Sequence, residues 1–194
     1  MISKLAVRLT NYLYSEGTIS AEDKELYQYG FFLLFSRIMF LLVTMFVGLA
    51  ANVFWESLLF YVMFSVLRGY AGGVHASSEF ACDTLSTGTF IVSVICIRIM
   101  KSLKCVPLAL IMTAVGCFII HWLSPMDTNA KPLSKAEFKH YRKVCSILTI
   151  LYFLLEVVFI VLSIYNFLYA VSVSILLETV LLFTGYLKKT QIRN

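Results

Sequence analysis

The sequence predicts an all-α, polytopic membrane protein with about six transmembrane helices and an N-terminal amphipathic helix at the membrane interface. Three observations lead to this prediction. Hydrophobic residues make up 60% of the 194 residues, well above the roughly 45–50% that is usual for soluble domains. They are concentrated in apolar runs that approach the ~20 residues a helix needs to cross a bilayer. Lys and Arg residues cluster in the segments that follow alternate runs, as expected for one cytoplasmic face.

Residues 3–14 are expected to form an amphipathic helix along the membrane surface. Leu5 and Leu9 recur at a spacing of four residues, whereas Lys4 and Arg8 recur on another face. An apolar face combined with basic residues is typical of helices that lie in the membrane plane. No compact apolar segment with a small-residue cleavage site occurs here, so a cleaved signal peptide is not predicted.

Six spans are expected, at roughly 30–49, 52–67, 83–100, 105–123, 145–164 and 166–187. An even number of spans places both chain ends, residues 68–82 and residues 124–144 on the same side of the membrane. That side holds most of the Lys and Arg residues, so the positive-inside rule makes it cytoplasmic. The basic pI of about 8.9 is explained by this face, and no nucleic-acid partner is predicted.

The whole chain, 1–194, is expected to be a single integral membrane domain. Interfacial helices occupy 1–29, the six-helix bundle 30–187 and a cytoplasmic tail 188–194. Ionisable residues inside the spans are costly in lipid, so they are expected to face the bundle interior, pair with one another or lie near an interface. Arg37 with Glu156 or Glu178 is a possible buried pair. A transport pathway is the alternative interpretation of these residues.

The most polar and glycine-dense segment, RGYAGGVHASSEFACD at 68–83, separates the second and third runs. It carries His75 and Cys82 seven residues apart. On a continuous helix these positions lie about 10 Å apart along the axis, too far for a nucleophile–base contact of roughly 2.6–3.2 Å. Gly72 and Gly73 permit the bend that such a contact requires. Because an imidazole can take the thiol proton and stabilise the thiolate, the segment predicts a cysteine-nucleophile site at the membrane surface.

Both residues also have a structural interpretation. A lone Cys is commonly a small buried hydrophobe, and a lone His at the end of a span is commonly an interfacial polar residue. The five cysteines show no metal-binding spacing, and Cys96 and Cys117 lie inside apolar runs, where packing is the expected role. A zinc site using His75 and His121 would lack the HExxH pattern. No metal or cofactor is therefore predicted.

A second unusual segment, SPMDTNAKPLSKAE at 124–137, follows the fourth run. Its two prolines, Asp127 and Asn129 are typical of a turn-rich loop. Ser134 and Glu137 have capping-box spacing and are expected to start a basic helix. The basic residues of that helix could bind anionic lipid headgroups or an acidic peptide; they are Lys135, Lys139, Arg142 and Lys143.

These two segments resemble the signature segments of the AgrB family, the accessory gene regulator proteins of Gram-positive quorum sensing. The resemblance covers essentially the whole chain, including its length, six spans, basic loops and the order R-x3-GG-x-H-x6-C. It implies a membrane cysteine endopeptidase that cleaves an AgrD-type propeptide. Cleavage removes the acidic C-terminal tail of the propeptide and helps to form a cyclic thiolactone autoinducing peptide.

By position, the resemblance implies that Cys82 is the nucleophile and His75 its base. Further residues at signature positions or in the basic segment are expected to bind substrate or support the site; they are Arg68, Gly72, Gly73, Asp127, Lys131, Lys135, Lys139, Arg142 and Lys143. Glu79 and Asp83 are candidates for orienting His75. The implied partners are the AgrD-type propeptide, the lipid bilayer and a second copy in a homodimer. The implied location is the cell membrane, as a multi-pass protein with its active site on the cytoplasmic side.

A small-peptide exporter or transporter without covalent chemistry is the competing function. It predicts that Cys82 is dispensable and that an intramembrane charge such as Arg37 or Glu156 is essential.

Overall fold

The computed structural model describes residues 2–72, 79–126 and 133–193, and every named element in these ranges is an α-helix. The helices are α1 (Ile2–Ser15), α2 (Lys24–Ala50), α3 (Phe54–Ala71), α4 (Glu79–Leu103), α5 (Val106–Leu123), α6 (Lys135–Val161) and α7 (Tyr165–Arg193). The predicted all-α fold class is confirmed. Each of the six predicted spans overlaps one of the helices α2 to α7.

Five helices in the described ranges are long and apolar enough to cross a membrane. They are α2, the Leu85–Leu103 part of α4, α5, α6 and the Tyr165–Leu187 part of α7. The remaining predicted span corresponds to α3, which has 18 residues and carries Glu56 in its first turn and Arg68 in its last. These two charged residues lower the hydropathy of α3, which is not among the five. The five long apolar helices indicate a multi-pass membrane protein.

The chain divides into two compact units, Met1–Val43 and Thr44–Asn194. The first unit contains α1, which confirms the helix predicted over residues 3–14, and most of α2. Side-chain capping contacts precede α2. The Asp23 amide donates to Ser20 Oγ at 3.2 Å, and that hydroxyl donates to the Asp23 carboxylate at 2.7 Å. Helix α2 begins at the next residue, Lys24.

Helix α7 is the centre of the second unit and packs against α3, α4, α5 and α6. Residues 168–175 are all buried, so this helix has no exposed side over two turns. On α5, Gly116 permits a close approach to α7, because a Cβ at that position would collide with the Ile175 side chain. The bundle is therefore built around the last helix of the chain.

Intramembrane charges in the second unit have structural partners. The buried Glu156 carboxylate accepts hydrogen bonds from Thr113 and Ser172, each at 2.6 Å. Glu56 pairs with Lys101. These contacts connect α6 to α5 and α7 in the first case, and α3 to α4 in the second. They agree with the prediction that ionisable residues in the spans face the bundle interior or pair with another charge: Glu156 is buried and bound by hydroxyl groups, and Glu56 is in an ion pair.

The capping box predicted before α6 is confirmed. Ser134 Oγ accepts from the Glu137 amide at 3.2 Å, and the Glu137 carboxylate accepts from the Ser134 amide at 2.9 Å. The basic helix and the fifth span are one continuous helix, which starts ten residues before the predicted span boundary at 145. Helix α7 likewise continues to Arg193, so the predicted tail from 188 onward is helical in its described part.

Candidate functional site

The first signature segment begins where α3 ends. Helix α3 stops at Ala71, and Gly72 adopts φ 76° and ψ −150°. This positive φ is the backbone conformation predicted for a glycine bend before His75. A Cβ at Gly72 would also lie 2.6 Å from the Met126 carbonyl oxygen. Both the backbone conformation and the available space therefore require glycine at this position.

The two signature segments meet directly. The Met126 amide donates to the Ala71 carbonyl at 2.8 Å, and Gly72 and Met126 form an isolated parallel β-bridge. Helix α5 ends at Leu123, and the Ser124–Pro125 peptide bond that follows it is cis. The Met126 side chain packs against the hydrophobic core of the second unit. We refer to the contact between Ala71–Gly72 and Met126 as the signature junction.

An ion pair with a buried carboxylate holds Gly72 at the signature junction. The Arg68 guanidinium donates to the Gly72 carbonyl and lies 3.5 Å from the Glu178 carboxylate. The Glu178 side chain is fully buried, whereas the Arg68 side chain is 21% exposed. Arg68 thereby connects the end of α3 to the central helix α7. This contact gives the predicted supporting residue Arg68 a physical role that its sequence position did not reveal.

Glu178 was missed as a site residue by sequence reasoning. Its only signal in the sequence was a carboxylate inside a predicted span, which needs a cationic or hydrogen-bonding partner in lipid. Arg68 is 110 residues away. Local sequence patterns cannot select that partner, because the contact depends on how α3 packs against α7.

Cys82 is the fourth residue of α4, within its first turn. The unpaired amides at a helix N-terminus carry partial positive charge, which favours an anion such as a thiolate nearby. The two candidate orienting residues, Glu79 and Asp83, are the first and fifth residues of the same helix. Four predicted site residues, His75, Gly73, Asp127 and Lys131, lie outside the described residues, so their predicted roles stay predictions.

The basic residues of α6 occupy an exposed surface beside the end of α3. Lys135, Lys139, Arg142 and Lys143 are all exposed, and at 100° per residue they fall on one side of the helix. By the same geometry, Tyr141 lies on the opposite side of α6, where its ring packs edge-on against Tyr70, with ring centroids 6.0 Å apart and an angle of 72°. Because Tyr70 is next to Ala71, this contact holds the start of α6 near the signature junction, with the basic surface on the side of α6 away from Tyr70. Sequence reasoning did not identify this tyrosine pair.

Two cysteines outside the first segment, Cys145 and Cys117, lie in packed surroundings. Cys145 is buried, and the Cys117 thiol points at the Thr149 carbonyl oxygen at 3.6 Å. His121, considered for a metal site, has its Nδ1 2.9 Å from Ser146 Oγ. Within the described ranges, no group of three or more His, Cys, Asp or Glu side chains could hold a metal ion.

Comparison with known proteins tests the resemblance to the AgrB family. The family model described as Accessory gene regulator B matches residues 6–182, which include both signature segments. The chain belongs to the AgrB family. The resemblance found in the two segments is thereby confirmed, and the family relates this membrane protein to accessory gene regulator processing.

Two AgrB-like proteins of Clostridium perfringens are similar to this chain. One, from strain SM101 / Type A, is 30% identical over 192 residues, which cover 93% of this chain and 87% of that protein. The second, named AgrB-like protein 2 and from strain 13 / Type A, is 31% identical over 173 residues, which cover 84% and 78% respectively. No solved structure matches the chain.

Proposed function

We propose that this AgrB-family protein is a membrane cysteine endopeptidase that cleaves an AgrD-type propeptide, with Cys82 as nucleophile and His75 as base. The signature junction is the observation that carries this proposal. It brings the segment that contains Met126 to the point where the chain leaves α3 toward His75 and Cys82. A site assembled from both segments is what a peptide-cleaving enzyme requires, since catalytic and substrate-binding groups must converge.

The first half of the reaction is acyl transfer to the enzyme. His75 takes the proton of Cys82, and the thiolate attacks the carbonyl carbon of the scissile peptide bond. The C–N bond breaks when the imidazolium donates its proton to the departing amine. The acidic C-terminal tail leaves with that amine, and the remaining peptide is held on Cys82 as a thioester.

The second half transfers the peptide to its own thiol. A cysteine thiol within the propeptide attacks the Cys82 thioester carbonyl, forming a new C–S bond as the bond to Cys82 breaks. The proton of the attacking thiol ends on Cys82, so the enzyme is regenerated without a co-reactant. Water must be excluded during this step, because hydrolysis would open the thioester to a carboxylic acid.

The remaining assignments follow from the same proposal. Glu79 and Asp83 are proposed to orient His75; both belong to the first turns of α4, the helix that begins after the His75 segment. The positive-inside rule puts the basic surface of α6, and hence the site, on the cytoplasmic side of the cell membrane. The homodimer is proposed on the family relationship alone.

Trapping the acyl-enzyme tests the proposed function. Purified protein in vesicles is mixed with an AgrD-type propeptide whose internal cysteine is replaced by Ser, which slows the second transfer. Intact-mass spectrometry should show the enzyme carrying the N-terminal fragment, and hydroxylamine should release that fragment because it cleaves thioesters. The Cys82→Ala variant is the control and should show no adduct. An adduct on another cysteine, or cleavage with no adduct at all, would contradict the assignment of Cys82.

The exposed basic surface of α6 is expected to recognise the acidic tail without taking part in the chemistry. Replacing Lys135, Lys139, Arg142 and Lys143 together by Gln should raise KM for the propeptide about tenfold and leave kcat within about twofold. The reason is that exposed like charges attract an acidic peptide over a Debye length of about 8 Å at physiological salt. Initial rates in vesicles of neutral lipid provide the measurement.

Neutral lipid separates this expectation from the lipid-binding alternative. If the four residues only bind anionic headgroups, the quadruple variant should match the wild type in neutral vesicles. A propeptide whose acidic tail is neutralised to Asn and Gln is the matched substrate control. With that substrate the variant and the wild type should have the same KM, and a persistent difference would exclude tail recognition.

A further inference from the structure

An apolar groove of about 370 Å³ runs between α4 and α7. Its α4 wall includes Leu85, Gly88 and Cys96, and its α7 wall includes Val173, Leu177 and Val180. This volume falls within the range of about 300–1,000 Å³ that is common for ligand pockets. Gly88 lies exposed on the groove wall, and a Cβ added there would meet no atom within 4 Å. The groove is therefore open at this glycine.

The groove begins at the level of the proposed site. Position 82 lies three residues before Leu85 on the same helix, about 4.5 Å along the axis. On α7, the groove residue Leu177 directly precedes Glu178, the carboxylate that pairs with Arg68. From Leu85 to Cys96 the groove follows α4 for about 16 Å into the bundle. One end is therefore next to the proposed nucleophile, and the other lies deep in the apolar region.

The two parts of the substrate need different surfaces. The basic surface of α6 is suited to the acidic tail, which leaves in the first half of the reaction. Once the tail has gone, that surface no longer holds the acylated fragment. The fragment must still be positioned for attack by its own thiol and kept away from water. An apolar surface beside position 82 meets both needs.

We propose that the α4–α7 groove binds apolar side chains of the propeptide on the N-terminal side of the scissile bond. This inference rests on the proposed function and extends it to substrate specificity. Side chains alone enter the groove, because a peptide backbone in hydrocarbon would leave its amide and carbonyl groups without partners. Gly88 determines how large a side chain the groove accepts.

Filling the groove at Gly88 tests the proposal. Gly88→Leu should lower kcat/KM for the propeptide about tenfold or more, since even one extra methylene in an apolar pocket changes discrimination about 10- to 200-fold. Gly30→Leu is the matched control, because Gly30 is an exposed glycine in the membrane helix α2 and a Cβ there also meets no atom within 4 Å. It should retain the wild-type kcat/KM.

A compensating substrate sharpens the test. Replacing the large apolar residues before the scissile bond by Ala, one at a time, should restore at least part of the lost kcat/KM in Gly88→Leu at one position. The same substitution should lower kcat/KM for the wild type. If Gly88→Leu and Gly30→Leu cleave every substrate equally well, the groove is filled by lipid or by a second copy of the chain, and the proposal is overturned. If the wild type itself cleaves no propeptide, the proposed function fails and this inference falls with it.

Crosslinking provides a readout that does not depend on turnover or on the fold of Gly88→Leu. The Cys82→Ala variant is mixed with a propeptide carrying a photoreactive apolar residue immediately before the scissile bond. Peptide mapping should place the crosslinks on groove residues such as Leu85, Val173 or Leu177. Crosslinks confined to the basic surface of α6, or to α2, would overturn the proposal.

Discussion

Replacing Cys82 by Ala is expected to abolish cleavage of the propeptide, because no thioester can form without the thiol. His75→Ala should lower the cleavage rate by about 10²- to 10⁴-fold, the usual contribution of a general base. Both variants should insert into the membrane at the wild-type level. Cys82 is in the first turn of α4, at the end of that helix and away from its centre. Gel analysis of propeptide cleavage in vesicles, normalised to enzyme quantity, measures both effects.

Cys105→Ala is the matched control for the loss of a thiol. Cys105 precedes α5 in the α4–α5 connection, at the other end of α4 from Cys82, and should be replaceable with no more than about a twofold change in rate. Cleavage at near the wild-type rate by Cys82→Ala would eliminate the nucleophile assignment. The exporter alternative would instead be favoured if the wild type cleaved no propeptide and replacing Glu156 abolished peptide release.

Replacing Gly72 by Ala is expected to give the second largest effect. A residue with a Cβ is strained at φ 76° by about 1–3 kcal/mol, and this Cβ would lie 2.6 Å from the Met126 carbonyl oxygen. Relief of that contact requires the two signature segments to move apart. We expect the cleavage rate to fall about 5- to 150-fold, the factor that corresponds to this energy range.

Gly69→Ala is a closely matched control, three residues earlier in the same segment. A Cβ at Gly69 would meet no atom within 4 Å, and Ala is preferred over Gly inside a helix by roughly 0.5–1 kcal/mol. This variant should therefore cleave the propeptide at the wild-type rate and be at least as stable to heating. If Gly72→Ala behaved like Gly69→Ala, the signature junction would have no role in the activity.

Local patterns in the sequence predicted much of the fold because local interactions produce it. The Ser134–Glu137 capping box uses atoms three residues apart, so its spacing can be read directly. The helices in the membrane follow from apolar runs of sufficient length. The positive φ of Gly72 was also predictable, since glycine adopts it without a Cβ penalty.

Contacts between residues far apart in the sequence could not be predicted from local patterns. From its neighbours in the sequence, Arg68 is only a charge near the end of a membrane helix. Glu178 is only a charge inside a predicted span. Their pairing depends on the packing of α3 against α7. The central position of α7 was equally hidden, because a helix that is apolar on all sides can face either lipid or protein.

The sequence by itself determined the helical membrane fold, the capping of α6, the two signature segments and the AgrB relationship, because each depends on residue types at short spacing. Only the tertiary structure decided that the two segments meet at Gly72 and Met126, that Glu178 holds Arg68 and that a groove extends from the start of α4. The physical reason is that helix packing in a membrane depends on the shapes of whole helix surfaces. Gly116 is an example. It matters for packing because it has no side chain, so the partner helix α7 can approach α5 closely, and the sequence around Gly116 does not reveal that partner.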